Sequence, residues 1–255
     1  MKTYIYKAVA GVCSLMLLMS SCESFLSEEP KDFLSPENLP NTEAECNMLL
    51  MGSLSYWRSN NFERHINFIA EATTDAVVSA TANNVARDEM NSLTWQSDNE
   101  SLYKPWQQFY ACINASNIMI EKVPNASNVS DEVKTRYVAA ARYMRAMSYF
   151  YLVRIFNDVI YLDTPVNDFT SANNMTKTPA KEIYNKIVED LEYAEANLPV
   201  KWDSGTERPT VAAAKSLLSW VYITMAGEQV KDNTMWAKAA SKAKEVIDKI
   251  GRAHV

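Results

Sequence analysis

The sequence predicts an all-α protein made of stacked helix pairs joined by long irregular loops. Three observations carry that prediction. The 255 residues include only 5 glycines, against 12 methionines and many Ala, Lys and Glu, a composition that favours helix. Apolar residues recur at spacings of three and four through several long segments. Small residues occupy the positions where helices would touch: Ala139 to Ala141, Ala212 to Ala214, Ala239, Ala240 and Ala243.

The first element is a leader. Lys2 and Lys7 precede a mostly apolar run from Ala8 to Met19, and Ser20, Ser21 and Cys22 follow. The run is too short to span a membrane and has the layout of a secretory signal. Small residues directly before a cysteine resemble a bacterial lipobox, with Met19 an unusual residue three places before the cysteine. On that reading residues 1–21 are removed and the Cys22 thiol carries diacylglycerol, the new N-terminus being acylated as well. Several acyl chains anchor a protein stably without a spanning helix. The plainer alternative is an ordinary cleaved signal followed by an incidental cysteine.

Residues 22–41 are polar and punctuated by Pro30, Pro36 and Pro40, which reads as an extended, lipid-anchored tether. The helical domain is placed at 42–249. Its first helix is expected over 42–57. Residues 73–101 are rich in Thr, Asn and Asp and lack a sustained helical period, so a long irregular region is expected there. Long ordered loops often carry function.

Five helical segments follow. Over 101–122, Trp106, Phe109, Tyr110, Ile113, Asn117 and Ile120 form one stripe. Over 130–156, Ser130 is the expected N-cap, Asp131 and Glu132 suit the helix N-terminus, and Tyr137, Ala141, Met144, Met147 or Ser148, and Tyr151 face inward. Over 178–198, Thr178 is expected to cap and Pro179 to open the helix; Ile183, Ile187, Leu191, Ala194 and Leu198 make its apolar face. Over 210–226 the face is Ala213 or Ala214, Leu217, Leu218, Val221 and Met225. Over 234–250 it is Trp236, Ala240, Ala243, Ile247 and Ile250. Helix, turn, helix in succession is similar to tetratricopeptide pairs, with an irregular bundle as the alternative. Trp106, Trp220 and Trp236 fall on periodic faces and are expected in the core. Trp57 and Trp202, at element ends, are the expected exceptions.

Charge and cysteines bound the function. Basic residues number 25 and acidic 31, a net charge of −6. Removal of the leader takes two lysines, leaving 23 against 31, or −8. That argues against nucleic-acid partners and against adhesion to anionic lipid by charge. Cys46 and Cys112 are expected as buried free thiols, although an exported protein permits a disulfide.

Nothing in the sequence points to catalysis. His65 and His254 are the histidines. There is no His/Cys cluster for a metal, no phosphate-cradling glycine loop, and no cofactor is implied. The acidic pairs Glu28–Glu29, Asp131–Glu132 and Glu189–Asp190 are adjacent in sequence, so on a helix they diverge. A sugar site needs an aromatic platform with amides and charged groups around it. Trp95, with Asn99 four residues on and Asp75 and Arg87 upstream, supplies those kinds. The competing reading places Trp95 in the core and leaves the polar residues solvated.

A family resemblance rests on five stretches in register. "RYMRAMSYFYLVRIFNDVIYLDTP", from Arg142 to Pro165, resembles the SusD/RagB family's run of Arg, aromatic, Leu, Arg, Ala, Tyr-Phe and Phe-Gly-Asp-Val-Pro. "CESFLSEEP" resembles its acylated start. "WQQFYACINASNIMIEKV", "TPAKEIYNKIVEDLEYAEANLP" and "ERPTVAAAKSLLSWVYITMAG" resemble its following helices. Two positions depart: Asn157 stands at the family's glycine and Ile160 at its proline. Asn tolerates positive φ, so the helix-ending turn can survive.

The resemblance implies a nutrient-binding lipoprotein, not an enzyme, lipid-anchored in the outer membrane and exposed at the cell surface. It implies a glycan or oligosaccharide ligand and a SusC-like TonB-dependent transporter as partner. It also implies that Asp75, Arg87, Trp95 and Asn99 can line the glycan site. The competing function is a helical-repeat scaffold that binds other envelope proteins. Family members continue well past the last helix. Residues 250–255, "IGRAHV", can be back-translated to a common sequencing adapter, so they are expected to be a non-native tail, with the C-terminal part missing.

Overall fold

The computed structural model describes residues 40–77, 84–166, 175–203, 205 and 208–250. The chain divides into two units, Met1–Leu39 and Pro40–Val255. Cys22, the leader and almost all of the tether fall in the first, outside the described residues; residues 251–255, in the second, are also outside them.

Eight α-helices make up the second unit among the described residues: α1 Glu43–Ser55, α2 Asn60–Glu71, α3 Val85–Ser92, α4 Glu100–Lys122, α5 Asp131–Phe156, α6 Ala180–Asn197, α7 Val211–Ala226 and α8 Met235–Ile250. No strand is present among those residues; one antiparallel bridge joins Val159 to Thr178. Each helix from α4 onward packs on the next, while α1 and α2 pack on α4. This is the all-α stack of helix pairs that the periodicity predicts.

Local chemistry sets the ends. Thr42 and Glu45 form a capping box on α1, which satisfies two otherwise orphaned N–H groups. Ser130 caps α5 and Thr210 caps α7. The start of α6 differs from expectation. Pro179 is the N-cap and has no side-chain hydrogen bond to give. The Ala180 N–H donates instead to Asp158 Oδ1 at 2.8 Å, so a residue 22 positions upstream does the capping. Thr178 is occupied in the bridge, its N–H donating to the Val159 carbonyl.

Helix α5 runs through both hydrophobic clusters. Tyr137 to Ala141 and Met144 belong to one, with Cys46, Leu50, Leu198 and Trp202; Ala146, Tyr149, Phe150, Leu152 and Val153 belong to the other, with Tyr184, Leu191 and Val221. The run Ala139 to Ala141 is fully buried, which lets neighbouring backbones approach closely.

A buried polar link crosses this core. Arg145 meets Asp190 with two bonds, Nε to Oδ2 at 2.7 Å and Nη2 to Oδ1 at 2.8 Å. Its Nη1 donates to Asn117 Oδ1 at 2.8 Å. Asn117 in turn donates to the carbonyls of Leu162 and Thr164. One arginine thus ties α4, α5, α6 and the segment after α5 together. That segment leaves α5 at Asn157, with φ 59 and ψ −115. The positive φ is the feature for which a glycine would serve, and Asn supplies it.

Several sequence expectations are corrected. The region 73–101 contains helix α3; it is short and polar and escapes a periodicity reading, yet Asn84 caps it and Met90 anchors it. The inner face of α8 is Ala239, with Met235, Ala243 and Val246 half-buried, while Trp236, Ala240 and Ile247 are exposed. Lys242 bonds Glu195 of α6, and Lys215 of α7 bonds Glu245. These contacts turn the helix by about one residue from the expected stripe.

The tryptophans also exchange places. Trp202 is only 7% exposed, its indole N–H donating to the Pro209 carbonyl at 2.7 Å, and Trp57 packs between Phe109 and Tyr151. Trp220 and Trp236 lie on outward faces of α7 and α8, 41% and 51% exposed. Cys46 and Cys112 are buried free thiols.

Candidate functional site

Trp95 sits at a corner between α3 and α4. Leu93 ends α3 in the left-handed conformation, φ 58 and ψ 34, and the Thr94 N–H folds back onto the Glu89 carbonyl at 2.9 Å. Side chains rarely adopt this conformation, because Cβ crowds the following carbonyl. The turn sends residues 94–96 out of the helix line and brings Trp95, 38% exposed, to the wall of a cleft.

The cleft has a volume of about 500 Å³ and is lined by Ile66, Ile69, Ala70 and Thr73 from α2 and its end, Met90, Trp95 and Leu102, and Tyr151, Arg154, Ile155 and Phe156 from the last turns of α5. Apolar and aromatic walls with a few polar groups suit a small ligand. The Phe156 ring meets Trp106 edge to face at 4.9 Å. Trp106 lines a second cavity of about 600 Å³, bounded by Tyr56, Tyr110, Ile118, Ile160 and Met175.

The four residues singled out from the sequence have different surroundings. Trp95 is on the cleft. Asn99 is buried: its Oδ1 accepts from the Ser101 N–H at 2.9 Å, and its Nδ2 donates to the Ala86 carbonyl at 3.0 Å and to Glu89 Oε2 at 2.7 Å. It caps α4 and pins α3 to it, holding the Trp95 corner. Arg87 is half-buried, its guanidinium 4.5 Å from the centre of the Phe68 ring. Asp75 is exposed in the turn after α2, two residues past Thr73. Asp75 and Arg87 are not among the residues lining the cleft.

Sequence reasoning missed Arg154 and Tyr151 as cleft residues. Tyr151 reads as one more member of the α5 stripe, and Arg154 as a cation suiting a helix C-terminus. On α2, His65 is buried, with Nδ1 3.3 Å from Ser101 Oγ and Nε2 3.9 Å from Glu100. Burial pushes the imidazole below its ordinary pKa, against the pull of Glu100. Among the described residues no group of His, Cys, Asp and Glu could hold a metal ion, and no helix is long and apolar enough to cross a membrane.

A family profile described as "Starch-binding associating with outer membrane", SusD-like, matches residues 24–223. The chain belongs to the SusD-like family. It is 33% identical to SusD-like protein P2 of Formosa agariphila over 244 residues, covering 93% of this chain and 45% of that one. Among solved structures, a SusD homolog from Bacteroides thetaiotaomicron superposes with a TM-score of 0.73 at 24% identity, over 87% of this chain and 43% of the other. A laminarin-binding SusD-like protein superposes with a TM-score of 0.71 at 24% identity, over 82% and 44%. Those two likenesses establish the fold. The SusD-like chain spans less than half the length of each of these relatives.

Proposed function

We propose that this protein binds a glycan in the Trp95 cleft and delivers it to a TonB-dependent outer-membrane transporter, as a surface lipoprotein acylated at Cys22. The observation that carries the binding part is the exposed indole of Trp95 on the wall of a cleft with aromatic and aliphatic sides. A flat ring offers the apolar face of a sugar a large rigid contact at little entropic cost. Family membership and the laminarin-binding neighbour support the ligand class. The lipobox resemblance at Cys22 supports the anchor, and the family description supports the outer membrane. The transporter partner rests on family resemblance alone. In this reading Asn99 holds the corner, and Asp75 and Arg87 are proposed contacts for parts of a longer ligand reaching past the cleft.

The test is isothermal titration of full-length protein and its Trp95→Ala variant against neutral oligosaccharides. The expected result is affinity weakened by about tenfold or more with the melting temperature nearly unchanged. A large drop in melting temperature would mark the ring as part of the core. For the partner, pull-down from solubilised outer membrane is expected to recover a TonB-dependent barrel. Repeated recovery of other envelope proteins without a barrel favours the scaffold alternative.

A further inference from the structure

Arg154 is held in an unusual way for an exposed arginine. Its guanidinium carbon lies 5.1 Å from the centre of the Phe150 ring, 5.8 Å from Tyr151 and 4.7 Å from Trp220. The same side chain lines the Trp95 cleft. The other three arginines of α5 each meet a carboxylate: Arg136 that of Glu132, Arg142 and Arg145 that of Asp190. Arg154 forms no ion pair with any described residue.

Its position in the last turn of α5 suits the helix dipole, but a lysine would do that equally well. The three rings and the missing carboxylate need another reason. A guanidinium stacked on aromatic faces keeps its in-plane N–H donors free, and those donors match the paired oxygens of a carboxylate or a sulfate. The rings also fix the rotamer in advance, so little side-chain freedom is lost when an anion arrives. The chain's net charge of −6 repels polyanions at long range. Anion recognition here therefore has to be local, at a preset fork.

We infer that the Trp95 cleft takes an anionic saccharide, with Arg154 receiving the carboxylate of a uronic acid or a sulfate ester through paired N–H donors while a sugar ring lies on Trp95. This rests on the proposed glycan-binding reading and narrows its ligand class.

The test is titration of full-length protein, Arg154→Gln and Arg154→Lys with three probes: an oligogalacturonide, a sulfated galactose oligosaccharide without uronate, and a neutral laminari-oligosaccharide. The expected result is that one anionic probe binds the natural protein at least about tenfold more tightly than the neutral one, the usual scale of a charged hydrogen-bonded contact. Which anionic probe wins distinguishes carboxylate from sulfate. Arg154→Gln should lose at least about tenfold more affinity for that probe than for the neutral one, and Arg154→Lys should fall between. Equal affinity for all three probes, or an equal loss for all three in Arg154→Gln, would overturn the inference. If only the neutral sugar binds, and Trp95→Ala abolishes it, the inference falls and the glycan reading stands. If none of the three binds, both fall.

Discussion

At Leu93 the chain holds a leucine in a conformation that glycine adopts freely. The side chain is 61% exposed, so little packing repays the crowding of its Cβ. Replacing it by glycine is expected to raise stability by about 1 kcal/mol, read as a higher urea midpoint at unchanged slope. Strain of this kind gathers at working sites, and here it lies two residues from Trp95. His65 makes a second residue-scale prediction. Its folded pKa is below the unfolded value, so unfolding takes up a proton. Stability should therefore fall as pH drops through and below the ordinary histidine range near ~6.5. Melting temperatures between pH 7.5 and 5.5 should show this, and His65→Gln should flatten the slope. The carboxylates whose pKa values are lowered, Glu45, Asp232 and Glu245, lose their contribution only at lower pH.

Among the elements, α5 and α6 depend on the Arg145–Asp190 pair. Arg145 is 6% exposed and Asp190 4%. Arg145→Ala removes both short bonds to the buried carboxylate and leaves it only Arg142, at 3.7 Å; the expected cost is about 3 kcal/mol, whereas the double variant Arg145→Met with Asp190→Leu should recover most of that loss. Chemical denaturation of the three proteins makes the comparison. The helices that carry this pair were the most legible part of the sequence, because 18 to 26 residues give a 3.6-residue period time to declare itself. α3 was not legible: eight residues, five of them polar, are too few to show a period, and the Asn84 cap reads as one polar residue among many. The rotation of α8 was not legible either. Adjacent stripes on a helix differ by one residue, and ion pairs to other helices choose between them. For the site, Trp95 stood out because it fell off every helical period. Arg154 did not, since its meaning comes from Trp220, 66 residues away, which only folding brings beside it.

For the whole molecule, the expected attachment is at Cys22. Cys22→Ala should move the protein from the membrane fraction to the soluble one, checked by fractionation and by loss of fatty-acid labelling; a variant that still sediments wholly with membranes would place the attachment elsewhere.

The two thiols of the helical unit have a use of their own. Cys46 on α1 and Cys112 on α4 are fully enclosed, and burial pushes the Cys46 thiol up to about 11 and raises that of Cys112 as well. A neutral, enclosed thiol does not react with alkylating reagents until its surroundings open. Each cysteine is therefore a built-in clock for its own helix. Labelling of Cys46 times the release of α1, and labelling of Cys112, whose sulfur bonds the Ser53 carbonyl, times the parting of α4 from α1. If the two rates coincide across denaturant, the helices open as one cooperative body. If Cys46 reacts first, α1 peels away while the rest of the stack remains closed.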